Sequence, residues 1–265
     1  MILSSDPASL LAWGAVIAYG LSALGRPLGT TRVQAVALAL HAASLVMRFW
    51  QETSPAGGGL RFGFAPVLSL TVWLVLAVHL AESRLVPLAR LRRTFSLAGA
   101  AVLLLAMLFP GDVLLARVAP LAPLHWALGI ASYGLFGVAV LHAALLDSAE
   151  RRMRLKQAGP PGALGLPLLT LEQLTFHFVE AGFVVLTLAI VIGLTAVGVW
   201  HWSHKTVLSL LGWATFAALI VGRRTRGWRG HQATRWVYAG AVIMLLAYVG
   251  SRFVFEVVLD RPPGP

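Results

Sequence analysis

Apolar runs of about 20 residues recur along this chain, and that repetition constrains it more than any motif. A hydrocarbon core of roughly 30 Å is crossed by about 20 residues of α-helix, the element that satisfies its own backbone N–H and C=O groups in lipid. Eight runs qualify, at about 10–25, 33–50, 66–83, 95–109, 124–146, 173–199, 206–222 and 235–257. They fill most of the 265 residues and leave no room for a sizeable soluble domain. The expected fold is all-α: a polytopic membrane helical bundle of about eight transmembrane helices, one integral-membrane domain over 1–265.

Basic residues set the expected orientation. Arg26 and Arg32 bracket the first gap, and Arg84, Arg90, Arg92 and Arg93 fill the third. Arg151, Arg152, Arg154 and Lys156 occupy the fifth, and Arg223, Arg224, Arg226, Arg229 and Arg235 the seventh. These are 15 of the 21 Lys and Arg residues. Cytoplasmic loops carry such an excess, so both termini are expected outside, on the periplasmic side of a bacterial inner membrane. The net charge of +11 is then mostly topology, with some attraction to anionic lipid. It is not a nucleic-acid footprint, because the arginines are spread over four short loops.

The chain has no cysteine, which excludes disulfides, Fe–S ligation and covalent c-type haem attachment to the chain itself. A cofactor would have to be held by His, Met, Tyr or carboxylate. The first span follows Ser4, Ser5 and Asp6 without a basic stretch and is expected to be a retained helix, not a cleaved signal. The segment 147–170 is basic and then rich in Gly and Pro, and reads as a cytoplasmic linker.

Polar residues within the spans are the informative ones, since each ionisable group costs about 2.5–3.5 kcal/mol to insert. In the second span Gln34, His41, Ser44 and Arg48 share a stripe. His41 lies roughly 12 Å deep and needs a hydrogen bond, a carboxylate or a metal. In the fifth, His125, Gly129, Ser132 and Phe136 share a face near the outer surface. A ligating imidazole followed one turn later by Gly leaves room for a flat macrocycle; the alternative is a small-residue packing face. In the sixth, His177 and Glu180 are helix neighbours, so the carboxylate could orient the imidazole, or both could pair with the basic loops. The gap before the seventh span reads Trp200, His201, Trp202, Ser203, His204, Lys205. An aromatic belt explains the tryptophans, whereas an aromatic shelf beneath an imidazole suits a planar conjugated ligand whose acidic group Lys205 could neutralise. Tyr248, Arg252 and Glu256 follow at i, i+4 and i+8 toward the outer end of the last span, where Arg252 either pairs with Glu256 or receives a ligand carboxylate. His79, His142 and His231 lie at inner span ends, where solvated or lipid-facing imidazole is ordinary.

No phosphate-binding loop, nucleophile elbow or HExxH metal motif is present, and no nucleophile or acid–base pair of recognisable geometry, so no catalytic residue is expected. What remains is a bundle with histidines at three depths: outer (His125, His201, His204), middle (His41) and inner (His177). Imidazoles on facing helices are a usual way to hold a non-covalent b-type haem, and rim arginines can meet its propionates.

Four stretches carry a family resemblance: LHWALGIASYGLFGVAVLHAALL around His125, FHFVEAGFVVLTLAIVIGL from Phe176, HKTVLSLLGWATFAALIVGR from His204, and GWRGHQATRWVYAGAVIMLLAYVGSRFV from Gly227. Over roughly 120–256 the chain resembles the cytochrome c assembly superfamily of the CcsA/HemX type, and most of all its short YpjD-like branch. The resemblance implies an integral-membrane protein that binds or conveys haem in cytochrome c maturation or haem homeostasis. It matches His125 to the family's external haem-ligand histidine, and His41 to a second-span histidine of the branch. Haem lyases of the family carry a Trp-rich motif ending in Asp-Pro-Lys-Glu-Thr, which is shortened here to Trp202, His204, Lys205 and Thr206. The family's histidine at the inner end of the following span is replaced by the Gly222–Arg223 neighbourhood, and the one beyond the last span has no counterpart before Pro265. Haem binding is therefore expected without attachment to apocytochrome.

The expectation is an inner-membrane protein that carries, exports or senses non-covalent haem b. His41 and His177 are candidates for an intramembrane site, and His125 with His204, beside Trp202, for an outer one. Arg48 and Arg252 are the propionate candidates. Expected partners are haem, the lipid bilayer, and a second membrane subunit or apocytochrome c. Two other classes stay open: a non-haem scaffold or regulatory partner, and a transporter of a small solute or metal ion.

Overall fold

With no water to bond in hydrocarbon, each apolar run closes its peptide groups on itself as one helix. The computed structural model describes residues 6–24, 30–53, 61–82, 91–113, 120–155, 168–196 and 202–259. Within them run α1 (Pro7–Leu24), α2 (Thr30–Thr53), α3 (Phe64–Glu82), α4 (Arg92–Leu108), α5 (Ala122–Arg154), α6 (Leu168–Ala196), α7 (His204–Arg226) and α8 (Gly230–Leu245). The last run continues beyond α8 through wide π-helical turns at Leu246–Gly250 and Val254–Val258. Seven of these helices are long and apolar enough to cross a membrane, the last counted over Gly230–Val258. The remaining one, α4, has 17 residues and reaches about 26 Å.

The bundle expected from the sequence is thus present, with the linker before α6 shortened at both ends. The segment 147–154, expected as the start of a linker, is the end of α5, and α6 begins at Leu168. Helix-compatible residues, a Glu150–Arg154 pair at i, i+4 (3.9 Å) and three arginines in the last turn favour the extension, since cations suit a helix C-terminus. Arg26, Arg84, Arg90, Lys156, Trp200, His201 and the Gly/Pro-rich stretch 159–167 lie outside the described residues. A feature without a sequence signal is a two-residue antiparallel ladder, Arg61–Phe62 against Asp112–Val113, between the gap before α3 and the gap after α4.

The chain divides into two compact units, one of residues 1–116 with 252–265 and the other of 117–251. In the first, α1 packs on α2 and α4, and α3 on α4. Buried Ala12, Ala15 and Ala37 let the helix backbones approach closely, as small residues do where lipid gives no hydrophobic drive between helices. The largest fully buried side chain there is Tyr19, whose ring lies so close to Gly99 that a Cβ at that position would sit 2.8 Å from its Cζ. In the second unit α6 and α8 both pack on α5, and α7 packs on α8. Its centre is a parallel stack of Phe136 (α5) on Phe216 (α7), with centroids 3.8 Å apart and planes within 2°. Glycine sockets flank the stack: a Cβ at Gly182 of α6 would fall 2.8 Å from Phe136, and one at Gly240 of α8 2.7 Å from Phe216.

Phe216→Ala removes one half of this stack at a site with 0% exposure and is expected to cost about 3 kcal/mol. Val221→Ala, on the exposed side of the same helix, should stay within about 0.5 kcal/mol. Unfolding midpoints in mixed detergent micelles compare the two, and equal shifts would deny the stack its central role.

Candidate functional site

His41 is the twelfth of the 24 residues of α2 and is completely buried. Both ring nitrogens are engaged: Nδ1 lies 3.3 Å from the Tyr19 hydroxyl of α1 and Nε2 2.9 Å from Ser69 Oγ of α3. Tyr19 also meets the imidazole edge-on, with centroids 6.0 Å apart. One histidine thereby links three helices, and an imidazole in this state has no spare nitrogen for a metal unless a hydrogen bond is given up.

The two arginines singled out by sequence lie at the far end of the same unit. Arg48 Nη1 donates to the Ala106 carbonyl in the last turn of α4 (3.3 Å), a favourable place for a cation. Arg252, only 13% exposed, stands between Glu256 (3.7 Å) and Asp112 (4.0 Å). Glu256 in turn accepts the backbone N–H of Phe64 at 3.4 Å, just beyond the β-ladder. Both contacts use Nη1 of a guanidinium that carries five donors in all.

In the second unit His125 sits in the first turn of α5, its backbone N–H bonded to the Leu121 carbonyl. Its Nδ1 is 2.7 Å from the Ala189 carbonyl of α6. A carbonyl only accepts, so Nδ1 carries the donated proton, and the tautomer with a lone pair has it on Nε2. Nε2 has no hydrogen-bond partner among the described residues. One turn on, Gly129 has nothing within 4 Å of the place where a Cβ would stand.

The other two candidate histidines, His204 and His177, are exposed. His204 opens α7 just after Ser203, whose Oγ caps the helix by accepting the Thr206 N–H (3.4 Å), and Trp202 is 73% exposed beside it. His177 lies one turn from Glu180, but that carboxylate pairs with Arg224 at the end of α7 (3.4 Å). The pair sets the level of Glu180 at the arginine-rich end of the unit, and His177, a turn closer to the start of α6, lies at that end too. Among the described residues no cluster of three or more His, Asp or Glu is arranged to hold a metal ion.

Sequence reasoning missed one constellation. Asp147, near the end of α5, accepts from Thr234 Oγ1 (2.9 Å) and the Tyr238 hydroxyl (2.8 Å) of α8, with His231 Nδ1 at 3.8 Å. Its signal was the i, i+4 spacing of Thr234 and Tyr238, which puts two hydroxyls on one face. Tyr133 was also overlooked: its hydroxyl donates to the Met244 carbonyl (2.7 Å), two residues before the helix widens into a π turn. A side chain from α5 thus serves a carbonyl where the ladder changes pitch, and such changes often mark functional segments.

The sequence profile of the cytochrome C assembly protein family matches residues 8–259. The inner membrane protein YpjD of Escherichia coli K12 is 27% identical over 233 residues, covering 84% of this chain and 85% of its own length. The cytochrome c biogenesis protein CcsA of Gloeobacter violaceus is 31% identical over 92 residues, 33% of this chain and 27% of that protein. No solved structure matches the chain.

Ser69→Ala would leave Nε2 of a fully buried His41 without its partner, at a cost of about 1–3 kcal/mol. Thermal unfolding of the purified protein reads this, and an unchanged midpoint would contradict the hydrogen bond.

Proposed function

The chain belongs to the cytochrome c assembly protein family and is a multi-pass inner-membrane protein, and from that premise we propose that it binds non-covalent haem b at His125 and carries, exports or senses it. Cytochromes c contain haem, so a haem-handling protein fits a family named for their assembly. The observation that carries the reading is the hydrogen bond from His125 Nδ1 to the Ala189 carbonyl, which leaves an Nε2 lone pair for iron. Haem, when bound, would supply an iron that a side-chain imidazole nitrogen can ligate.

The chain's own residues divide the work. His125 would provide an imidazole nitrogen to the iron, and the open side of Gly129 would accept a planar group against the α5 backbone. His204, at the start of α7, is the candidate second ligand, with exposed Trp202 beside it as a stacking surface. Lys205, next in sequence, can face an acidic substituent. Arg48 and Arg252 remain the propionate candidates of the first unit. His41 would ligate only by parting from Ser69 or Tyr19, and His177 serves, if at all, at the arginine-rich end. No residue here is assigned to haem attachment.

The saturated bonding of His41 favours a second reading, a scaffold or regulatory subunit that keeps the fold without the cofactor. Absorption spectra of the detergent-purified protein, oxidised and dithionite-reduced, with a pyridine haemochrome assay, separate the two. A Soret band, sharp reduced α and β bands and near-stoichiometric haem b are expected. His125→Ala should lose most of that haem. Gly129→Leu, filling space that nothing else occupies, should lower occupancy without lowering stability. A protein that stays colourless when haem is supplied ends the haem reading in favour of the scaffold.

The proposed topology has both termini outside. Because the chain has no cysteine, Arg226→Cys creates a unique thiol at the end of α7, beside the α7–α8 turn. In intact cells it should react with a permeant maleimide and resist an impermeant one; equal labelling would invert the orientation.

A further inference from the structure

We infer that α6 is the element that tunes His125, and that Gly193 is a positioning residue whose missing side chain lets the imidazole reach the Ala189 carbonyl. The inference rests on the haem reading above and goes beyond it, by saying what sets the strength of the ligand.

Two contacts between His125 and α6 carry it. The Nδ1–carbonyl distance is 2.7 Å, at the short end for an N–H···O bond. A Cβ at Gly193 would stand 2.8 Å from Cε1 and 3.1 Å from Nδ1 of His125, closer than side chains tolerate. The ring therefore lies with its Nδ1–Cε1 edge against bare α6 backbone. In a regular helix the Ala189 carbonyl already accepts the N–H of Gly193, and its second lone pair takes the imidazole proton. A Cβ at 193 requires the ring or the facing backbone to shift, which disturbs the bond to that carbonyl. Donation from Nδ1–H makes a ligating imidazole more basic and holds its ring orientation, and loss of such support typically weakens metal binding about 10–100-fold. A more electron-rich ligand also favours ferric over ferrous iron, so losing the bond moves the midpoint potential in the positive direction.

Haem titration and redox potentiometry of the full-length protein in detergent test this. Gly193→Ala should weaken haem binding about 10–100-fold and shift the potential positively. Gly20→Ala, in α1 with nothing within 4 Å of its Cβ position, should match wild type in both. A second experiment does not depend on how Gly193→Ala folds. In His125→Gly, added imidazole can both ligate iron and donate to the Ala189 carbonyl, whereas 1-methylimidazole can only ligate. Imidazole should restore the wild-type spectrum at a concentration about 10-fold lower or less. Equal potency of the two, or a Gly193→Ala protein with wild-type affinity and potential, overturns the inference while leaving haem binding intact. A wild-type protein that takes up no haem overturns both.

Discussion

In hydrocarbon a peptide group has no water to fall back on, and every other feature of this chain is arranged within that constraint. It makes each apolar run a helix, and it removes the usual hydrophobic drive between helices, because lipid tails are as apolar as leucine. What holds the helices together must then be close packing and buried hydrogen bonds. Both units show this. In the second, a stacked pair of phenylalanines is seated in glycine sockets from two further helices, so that α5, α6, α7 and α8 meet around Phe136 and Phe216. In the first, Tyr19 lies over Gly99 and bonds His41, which bonds Ser69.

The same economy governs the histidines. An imidazole among apolar helices is stabilised by whatever partner it has, and the number of partners decides what chemistry remains open to it. His41 has two and is closed. His125 has one, a carbonyl, and that choice of partner leaves Nε2 as the unprotonated nitrogen. The contrast carries the functional reading: two histidines that look alike as residues in apolar helices differ in how many of their nitrogens are already used. The arginines follow a similar rule, with Arg252 held between two carboxylates and Arg48 set on a helix C-terminus.

Much of this was legible in the chain itself. Runs of hydrophobicity long enough to cross a bilayer set the number and place of the helices, because length and polarity are local properties. Alternating arginine content carried the expected orientation for the same reason. The stretch around His125 could be singled out, since an imidazole one turn before a glycine is a spacing visible in one dimension. The helical end of α5 was misplaced because charged, helix-favouring residues past a membrane boundary look like loop to a hydropathy reading. The ladder between Arg61–Phe62 and Asp112–Val113 had no signal, two residues being too few for a strand pattern.

The sequence by itself determined a polytopic α-helical membrane protein, its family, and the short set of polar side chains from which any site must be built. Tertiary structure alone decided which of these are spent on holding helices together. Whether Glu180 faces His177 or Arg224, whether Asp147 meets two hydroxyls, and whether Ala189 offers its carbonyl to His125 depend on the rotation and spacing of neighbouring helices. Those are set by how side chains and glycine gaps interlock across an interface. Periodicity along one helix places a residue on a face; only the neighbour packed against that face determines what the residue touches.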